Sequence, residues 1–440
     1  MSKMPKIPPT VAVLLQAMRF RSPQTEALAA LQDSQWTELL SFCDLMHLTL
    51  PLGRTCADVL PDWVRSRIER NFADNAQHFD RVKASYSEVA HALRENAIEC
   101  LVIKGFAQYP AFVEDPRLRP QSDIDLFSPR ESVFRARDTL LQLGYVAEDE
   151  LERWGYQPEV APEQLPCDHL PSMSRKTDWQ WQGNFFDPEI PIGVELHFRF
   201  LNEHFTRLSP PGLDQFWTRR VDRSLDEISF VGLSPVDNLA YVSLHILSDL
   251  QYGGWIIKIA RELAYFLHDN ANNYPFWQQW HDLHDERLRA LEAVSFRLAN
   301  TLFPCDLSEQ VTAEIERLPT PIKEWFRQFA YSPIERVFRP NKDALWLYVA
   351  MLKSKRDQLA IVRQTLLPPR VPPMDSRGQD TNRQGQPRKF WPSQRYAKYG
   401  FFIALRVAYH GRTLVSSLWH GLRWWLGSKG ARKTLLEFLC

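Results

Sequence analysis

The chain has 440 residues, of which 44% are hydrophobic and 24% are charged, and its formal net charge is zero. These values exclude a disordered chain and are typical of a folded protein with two or three domains. The neutral total conceals an asymmetry, because residues 366–440 contain 13 Lys and Arg against 3 Asp and Glu, whereas the remaining residues contain 40 against 50.

The cysteines and the apolar runs predict the compartment. Six cysteines are scattered without a CxxC pair, which favours reduced thiols. The first 20 residues lack a basic region followed by an apolar segment and a cleavage site. No apolar run reaches the roughly 18 residues that a membrane span needs. We therefore expect a cytoplasmic protein without a transmembrane segment.

The first half of the chain changes from helical to strand periodicity. Residues 10–96 place apolar side chains every three or four positions, which predicts helices. Residues 98–105, "IECLVIKG", are a short β-branched run that predicts a strand ending at Gly105. Residues 122–128, "SDIDLFS", predict a second strand, and an amphipathic helix follows and ends at Gly144.

The second half returns to helices. Residues 145–190 are predicted to be irregular, although "DWQWQGNFFD", residues 178–187, alternates like a hairpin strand. "IGVELHFRF", residues 192–200, predicts a third strand. Ser234 followed by Pro235 is typical of a helix start, and helical periodicity then continues to about residue 365. A linker rich in Pro, Gly, Arg and Gln comes next.

Two aspartates occupy alternate positions of the second predicted strand. Asp123 and Asp125 share one face, while Ile124 and Leu126 share the other. Like charges at this spacing, roughly 6–7 Å, repel each other unless a cation lies between them. The pattern therefore predicts a cation site.

A third carboxylate lies on the third predicted strand, where Glu195, His197 and Arg199 share the polar face. If the two strands are neighbours, Glu195 joins Asp123 and Asp125 around one point. Such an oxygen-rich site suits Mg²⁺ with substrate phosphates, and two such ions catalyse displacement at phosphorus. Gly105 has no Cβ and allows a triphosphate to approach the backbone.

These motifs carry a resemblance. "LVIKGFAQYPAFVEDPRLRPQSDIDLF" followed by "VELHF" resembles the uncharacterised nucleotidyltransferase family of the DNA polymerase β-like superfamily. The similarity extends over roughly residues 30–300, through "CDHLPSMSR" and "LSPVDNLAYVSLHIL". It implies an α+β fold, with a polymerase-β-like core of short mixed β-sheet and flanking helices, embedded between an N-terminal helical region and a C-terminal helical bundle.

The resemblance also implies site residues. Asp123 and Asp125 would bind two Mg²⁺ ions, and Glu195 would bind the catalytic ion and help to deprotonate the acceptor. Gly105 would border the triphosphate of an NTP, which we expect to be ATP. Two features depart from the superfamily pattern: Phe106 stands where a serine is usual, and the gap from Gly105 to Asp123 is longer.

The domains follow from these elements. We predict an N-terminal helical region at 1–96, a nucleotidyltransferase core at 97–205, a C-terminal helical domain at 206–365, and a basic linker and tail at 366–440.

Several basic residues have two interpretations. Lys104 is predicted either to contact a phosphate or to pair with a carboxylate. Arg119, and less strongly Arg117, are candidates for neutralising phosphate charge. His197 and Arg199 share the face of Glu195 and are candidates for substrate contact, although a structural hydrogen bond is the preferred interpretation for His197.

Three other histidines also have two interpretations. His169 either contacts substrate or anchors its loop. His281 and His284 share a helical face beside acidic residues, which is more typical of a solvated helix than of a zinc site.

The basic tail mixes Arg and Lys with aromatic residues. Such a mixture suits RNA or an anionic membrane surface. The preferred interpretation is an amphipathic extension that packs on the acidic body of the protein itself or on a protein partner.

The sequence therefore predicts a Mg²⁺-dependent nucleotidyltransferase that moves an NMP from an NTP to an acceptor hydroxyl and releases pyrophosphate. The acceptor, a small molecule, a peptide or protein, or an RNA end, stays open. The alternative is a non-catalytic nucleotide- or partner-binding module, regulatory or antitoxin-like, with a degenerate site.

Overall fold

The computed structural model describes residues 7–147, 161–252, 254, 256–367, 411 and 413–428. These residues fall into two compact units, which divide between Leu318 and Pro319. The predicted linker and much of the predicted tail lie outside the described residues. The four predicted domain boundaries stay a prediction.

Helices form the N-terminal part of the first unit, as the apolar spacing predicts. The longest, α5, has 34 residues and buries a stripe that includes Phe79, Val82, Val89 and Leu93. It ends in a Schellman motif, in which Ile98 N–H donates to the Leu93 carbonyl at 2.9 Å. The five helices are α1 (Pro9–Ala17), α2 (Glu26–Ala29), α3 (Asp33–Leu45), α4 (Thr49–Thr55) and α5 (Asp62–Glu95).

A mixed seven-stranded sheet follows, in the order β3-β4-β5-β2-β1-β7-β6. The β2–β5 and β1–β7 pairs are parallel, and the other pairs are antiparallel. The strands are β1 (Leu101–Val102), β2 (Asp123–Phe127), β3 (Tyr145–Ala147), β4 (Met173–Arg175), β5 (Gly193–His197), β6 (Val221–Leu225) and β7 (Ile228–Gly232). This mixed sheet with its helices confirms the predicted α+β class.

One face of the sheet forms the core of this unit. Ile124, Leu126, Val194 and Leu196 are almost fully buried in a cluster that includes residues of α5 and α6 (Val133–Gln142). The alternation predicted for β2 and β5 is therefore confirmed, and the acidic residues of both strands emerge on the opposite face. The predicted C-cap is also confirmed, since Gly144 has a φ of 84°.

The remaining helices of the first unit begin with two short ones, α7 (Glu203–Thr206) and α8 (Gln215–Thr218). Ser234 Oγ accepts a bond from the N–H of Asp237 at 3.3 Å and caps the next helix, as predicted. The later helices are α9 (Pro235–Tyr252), α10 (Ile256–Asp269), α11 (Tyr274–Leu283), α12 (Glu286–Leu302) and α13 (Glu309–Arg317).

The second unit is helical in its described part. It comprises α14 (Thr320–Phe329), α15 (Ser332–Phe338), α16 (Ala344–Met351) and α17 (Lys355–Leu366), followed by a helix at 413–427, here called α18. None of the described helices combines the length and the apolar character needed to cross a bilayer.

Two local predictions were wrong. Residues 178–187 are bends and turns instead of a strand, although Trp179 and Trp181 alternate as a strand would require. Conversely, β6 and β7 form a hairpin that joins the core sheet C-terminal to residue 205, where we expected helices. The strand β6 is mostly exposed and lacks an alternating apolar pattern, so periodicity gives no signal for it.

Candidate active site

The register of β2 and β5 determines the geometry of the site. In this parallel pair Asp125 lies opposite Glu195, and Asp123 lies opposite Gly193. Because paired residues of neighbouring strands project to the same side, the carboxylates of Asp125 and Glu195 emerge together. The strand pairing that the resemblance implied is therefore present.

Asp125 is the centre of a buried network of charges. Its Oδ1 atom accepts hydrogen bonds from Lys104 Nζ at 2.6 Å and from His197 Nε2 at 3.1 Å. His197 Nε2 also lies 3.4 Å from Glu195 Oε2. The side chains of Asp125 and His197 are only 3% and 4% exposed, so water screens these interactions little.

The pKa values follow from this network. Burial raises the pKa of Asp125, but Lys104 and His197 outweigh burial and hold it far below the ordinary range. Burial and Lys104 lower the pKa of His197, whereas hydrogen bonds to Asp125 and Glu195 raise it to about 9. Burial raises the pKa of Glu195, but the hydrogen bond from His197 outweighs burial, so the pKa is lowered. Two acids are therefore ionised at neutral pH beside two cations.

Asp123 differs from its neighbour. Burial, followed by the charges of Asp125 and Glu195, raises the pKa of the Asp123 carboxyl. No hydrogen bond to this carboxyl is found among the described residues. Within the described ranges, Asp123 is therefore the carboxylate of this face without a hydrogen-bonded cation, although Lys104 and Lys258 act on it electrostatically. An added cation would relieve its repulsion with Asp125.

The donor atoms fit a divalent cation. Asp125, Glu195 and His197 each offer one ligand atom, and these atoms lie within 4.8 Å of one another. Two carboxylate oxygens suit Mg²⁺ or Mn²⁺, and the imidazole suits the softer of the two. The predicted ligand set was Asp123, Asp125 and Glu195. In the structure the group with ligand atoms within 4.8 Å of one another includes His197 and does not include Asp123, which lies two positions from Asp125 on the same face.

The turn after β1 has an unpredicted neighbour. Gly105 has a φ of 61°, which favours glycine. A Cβ at this position would lie 2.5 Å from Gln121 Oε1, and Gln121 Nε2 donates to the carbonyl of Asp123 at 2.6 Å. Phe106 points into the core against Tyr86 and Phe230. The carboxamide of Gln121 therefore occupies the space beside the Gly105 turn, and Phe106 packs in the core.

The predicted arginines are engaged elsewhere. Arg119 Nε lies 3.0 Å from Glu262 Oε1, and both side chains are mostly buried. Arg117 pairs with Asp115 at 2.7 Å. Arg199 donates to backbone carbonyls of residues 162–167 and holds that segment against β5. Arg199 is thus a structural anchor in this conformation.

His169 lies directly opposite His197 across an antiparallel bridge, with ring centroids 5.0 Å apart. Its Nδ1–H donates to the Leu170 carbonyl at 2.7 Å. Its loop is anchored, as one of the two interpretations predicted, and its ring lies on the carboxylate face.

Three polar residues on distant helices also lie within electrostatic range of Asp125. Tyr241 and His245 are one turn apart on α9, and burial raises the pKa of the former and lowers that of the latter. Burial and Arg119 lower the pKa of Lys258, on α10, to about 8. None of these residues was predicted from the sequence. Polar positions four apart in the apolar stretch "AYVSLHIL" are the signal for Tyr241 and His245.

His284 was expected on a solvated helix face, which is wrong. It lies beyond the end of α11 and is buried, with Nδ1 3.0 Å from Glu292 Oε2 and Nε2 3.6 Å from Asp237 Oδ1. His281 is exposed, as expected. Among the described residues, no group of metal-ligating side chains forms around this pair.

Comparison with known proteins agrees with this geometry. A family model described as uncharacterised nucleotidyltransferase matches residues 32–304, which include every strand of the sheet. No curated protein and no solved structure gives a significant match. Since the family model covers more than half of the chain, the protein belongs to the uncharacterised nucleotidyltransferase family.

Proposed function

We propose that the protein is a divalent-metal-dependent nucleotidyltransferase that transfers an NMP from an NTP, most simply ATP, to an acceptor hydroxyl. The observation that carries this proposal is the placement of Asp125 opposite Glu195, with Asp123 two positions away on the same face. Family membership supports the general class of reaction; the carboxylates support the metal-dependent form of it.

In the proposed reaction the acceptor oxygen forms a bond to the α-phosphorus, and the bond from that phosphorus to the bridging oxygen breaks. Pyrophosphate leaves with the electron pair of the broken bond. Glu195 is the candidate acceptor of the hydroxyl proton, because it is ionised and its side chain is 21% exposed. Asp125 is less suitable, since Lys104 and His197 already occupy its Oδ1 atom.

Asp123, Asp125 and Glu195 would hold the metal ions, and His197 would either lose its proton and join them or keep it and donate to a phosphate oxygen. Bound Mg²⁺ would neutralise the triphosphate and orient its oxygens. Lys104 and the protonated His197 meanwhile balance the acidic charge of the face, which allows the carboxylates to be assembled before a nucleotide binds.

Lys258 is the best-placed residue for a phosphate contact. Its Nζ lies 3.5 Å from the Pro120 carbonyl, and no described carboxylate lies within 4.0 Å of it. The charges of Asp123 and Asp125 nevertheless act on it. A cation beside the carboxylate face without a close acidic partner suits the anionic end of an NTP.

A labelled-nucleotide experiment tests the proposal. The protein is incubated with each α-³²P-labelled NTP and Mg²⁺ or Mn²⁺, together with fractionated small molecules, proteins and RNA. We expect label to enter one class of acceptor with release of pyrophosphate, and mass spectrometry to show the added NMP. Asp125→Asn and omission of metal should each abolish both signals.

A non-catalytic module is the second candidate. Two observations favour it: Lys104 and His197 neutralise Asp125, and the core holds Phe106 where a hydroxyl is usual in the superfamily. Calorimetry separates the candidates. Metal-dependent NTP binding without pyrophosphate release in any acceptor fraction supports a nucleotide-binding module. Absence of NTP binding contradicts both nucleotidyl transfer and a nucleotide-binding module, and leaves only the partner-binding form.

A further inference from the structure

Helix α18 presents an apolar stripe to solvent. Its members lie at helical spacing and are each between 44% and 71% exposed. They are Val415, Leu418, Trp419, Leu422 and Leu426. An isolated exposed leucine is ordinary, but five large apolar side chains on one face of a 15-residue helix form a contiguous patch.

The opposite face of α18 attaches it to the second unit. Trp346 Nε1 donates to the Ser417 carbonyl at 3.1 Å, and His420 Nδ1 lies 2.7 Å from Asp343 Oδ1. A Cβ at Gly421 would collide with the Trp346 ring. Trp424 is buried and donates to the Pro321 carbonyl at 2.8 Å.

The orientation of α18 is therefore the reverse of that of an ordinary surface helix. Small and polar residues, together with Trp424, make the internal contacts, whereas the aliphatic residues face outward. Apolar surface in this arrangement is stabilised only when something covers it. The contacts on the inner face fix the direction in which the stripe points.

The net charge of the C-terminal segment indicates what kind of partner covers the apolar stripe of α18. Residues 366–440, which include α18, contain 13 Lys and Arg against 3 Asp and Glu. A segment of sequence that combines an excess of ten positive charges with an aliphatic stripe matches an anionic lipid surface, to which amphipathic helices bind by apolar insertion and by attraction of flanking cations.

RNA fits the stripe less well. Four of its five members are aliphatic, while RNA recognition uses cations and flat rings for stacking. Within the described part of α18, Arg423 is the lone Lys or Arg. The apolar stripe occupies one face of the described part of α18, while the other face is attached to the second unit, so the helix suits a position parallel to the membrane.

We propose that α18 is a peripheral membrane-binding element that inserts its apolar stripe into the surface of a bilayer containing anionic lipids. The basic residues of 366–440 supply the electrostatic attraction. The second unit then holds the protein at the membrane. This proposal is independent of the nucleotidyl-transfer proposal.

Vesicle flotation with the full chain tests it. Vesicles of phosphatidylcholine alone are compared with vesicles containing 30% phosphatidylglycerol. We expect the protein to float with the anionic vesicles, and the partition coefficient to fall at least tenfold in Leu418→Ser/Leu422→Ser. Raising the salt from 0.1 to 0.5 M should also weaken binding, because it screens the attraction.

Leu359→Ser is the matched control, since Leu359 is an exposed leucine of the same unit, on α17. It should float like the wild type, and circular dichroism should show that all variants are folded. Three results overturn the proposal: no flotation with anionic vesicles, unchanged flotation of the double variant, or loss of self-association or of poly(U) binding in that variant while flotation persists.

Discussion

Asp125 and Glu195 are opposite residues of two neighbouring parallel strands, although 70 positions separate them in the chain. Their side chains lie side by side on the face of the sheet that does not carry the α5 core. Asp125 has two cationic partners, whereas Asp123, on the same strand, has none among the described residues. Because of this difference, substitutions of the two aspartates should have the same effect on nucleotidyl transfer but different effects on protein stability.

Replacement of either aspartate by asparagine should abolish transfer but change stability in opposite directions. Asp125→Asn leaves Lys104 and His197 without their shared partner and should destabilise the fold by roughly 3–5 kcal/mol. Asp123→Asn removes a repelled charge and should stabilise the metal-free protein by about 0.5–1 kcal/mol. Urea unfolding in EDTA and pyrophosphate release measure the two effects.

Retained transfer in either variant would contradict the proposed metal site. Equal destabilisation by both substitutions would show instead that the two carboxylates have equivalent surroundings.

Lys104→Met should make the protein depend on divalent metal for stability. The ammonium group of Lys104 neutralises Asp125 at 2.6 Å, and its removal from this partly buried pair should cost roughly 2–4 kcal/mol. A bound cation replaces the lost charge, so Mg²⁺ should raise the melting temperature more in the variant than in the wild type.

Lys83→Met is the control for this experiment, because Lys83 pairs with Asp80, Asp226 and Glu227 away from the site. It should show no enhanced stabilisation by Mg²⁺. An equal response of Lys104→Met and the wild type would argue that no metal binds beside Asp125.

Lys258→Met should weaken NTP binding while it stabilises the fold. The loss of a phosphate contact should raise the Kd of Mg²⁺–ATP by about tenfold or more. The pKa of Lys258 is lowered to about 8, chiefly by burial. The charged form, which still predominates at neutral pH, is therefore less favourable in the folded state than in the unfolded state, and methionine removes that cost. Calorimetric titration and thermal unfolding measure the two changes.

Arg261→Met is the matched control, one turn along the same helix. Arg261 acts electrostatically on Glu114 and Glu262 rather than on the aspartates, so the Kd for ATP should not change. Unaltered ATP binding in Lys258→Met would remove this residue from the nucleotide site.

Protein stability should decrease between about pH 6.5 and pH 9 because of His284. Burial disfavours its charge, but Glu292 and Asp237 raise its pKa to about 9. The folded state therefore holds this proton more tightly than the unfolded state. The resulting stabilisation, roughly 1–3 kcal/mol, is complete below pH 6.5 and is lost as the pH rises through 9.

His284→Gln should lack this pH-dependent contribution, and its free energy of unfolding should change less across the same range. Parallel pH profiles for the variant and the wild type would show that His284 does not hold its proton in the folded state.

The sequence predicted the parts of the site that periodicity determines. Alternation in "SDIDLFS" and "IGVELHFRF" predicted which side chains share a face, and the structure confirms the apolar half of that pattern. It could not predict the contributions of Tyr241, His245 and Lys258. Helical spacing shows that polar residues share a stripe, but which stripe turns toward the sheet depends on how distant helices pack.

Tertiary packing also explains the wrong predictions. The strand β6 is an exposed edge strand, and its polar sequence carries no alternation, while residues 178–187 alternate without pairing to the sheet. His284 lies just past the end of α11, so its burial depends on Glu292 of α12 and Asp237 of α9. The sequence pattern of histidines beside acidic residues is the same for a solvated helix face and for a buried hydrogen-bond network.

The register of β5 against β2 restricts how this protein can change during evolution. An insertion or deletion within Gly193–His197 would exchange the two faces of the strand, turning Val194 and Leu196 toward the acids and Glu195 into the apolar interior. Such a lineage would lose folding and chemistry in one step. A point substitution of Glu195, by contrast, keeps the strand register. We therefore expect relatives that have lost the acidic residues to keep the length of this segment unchanged.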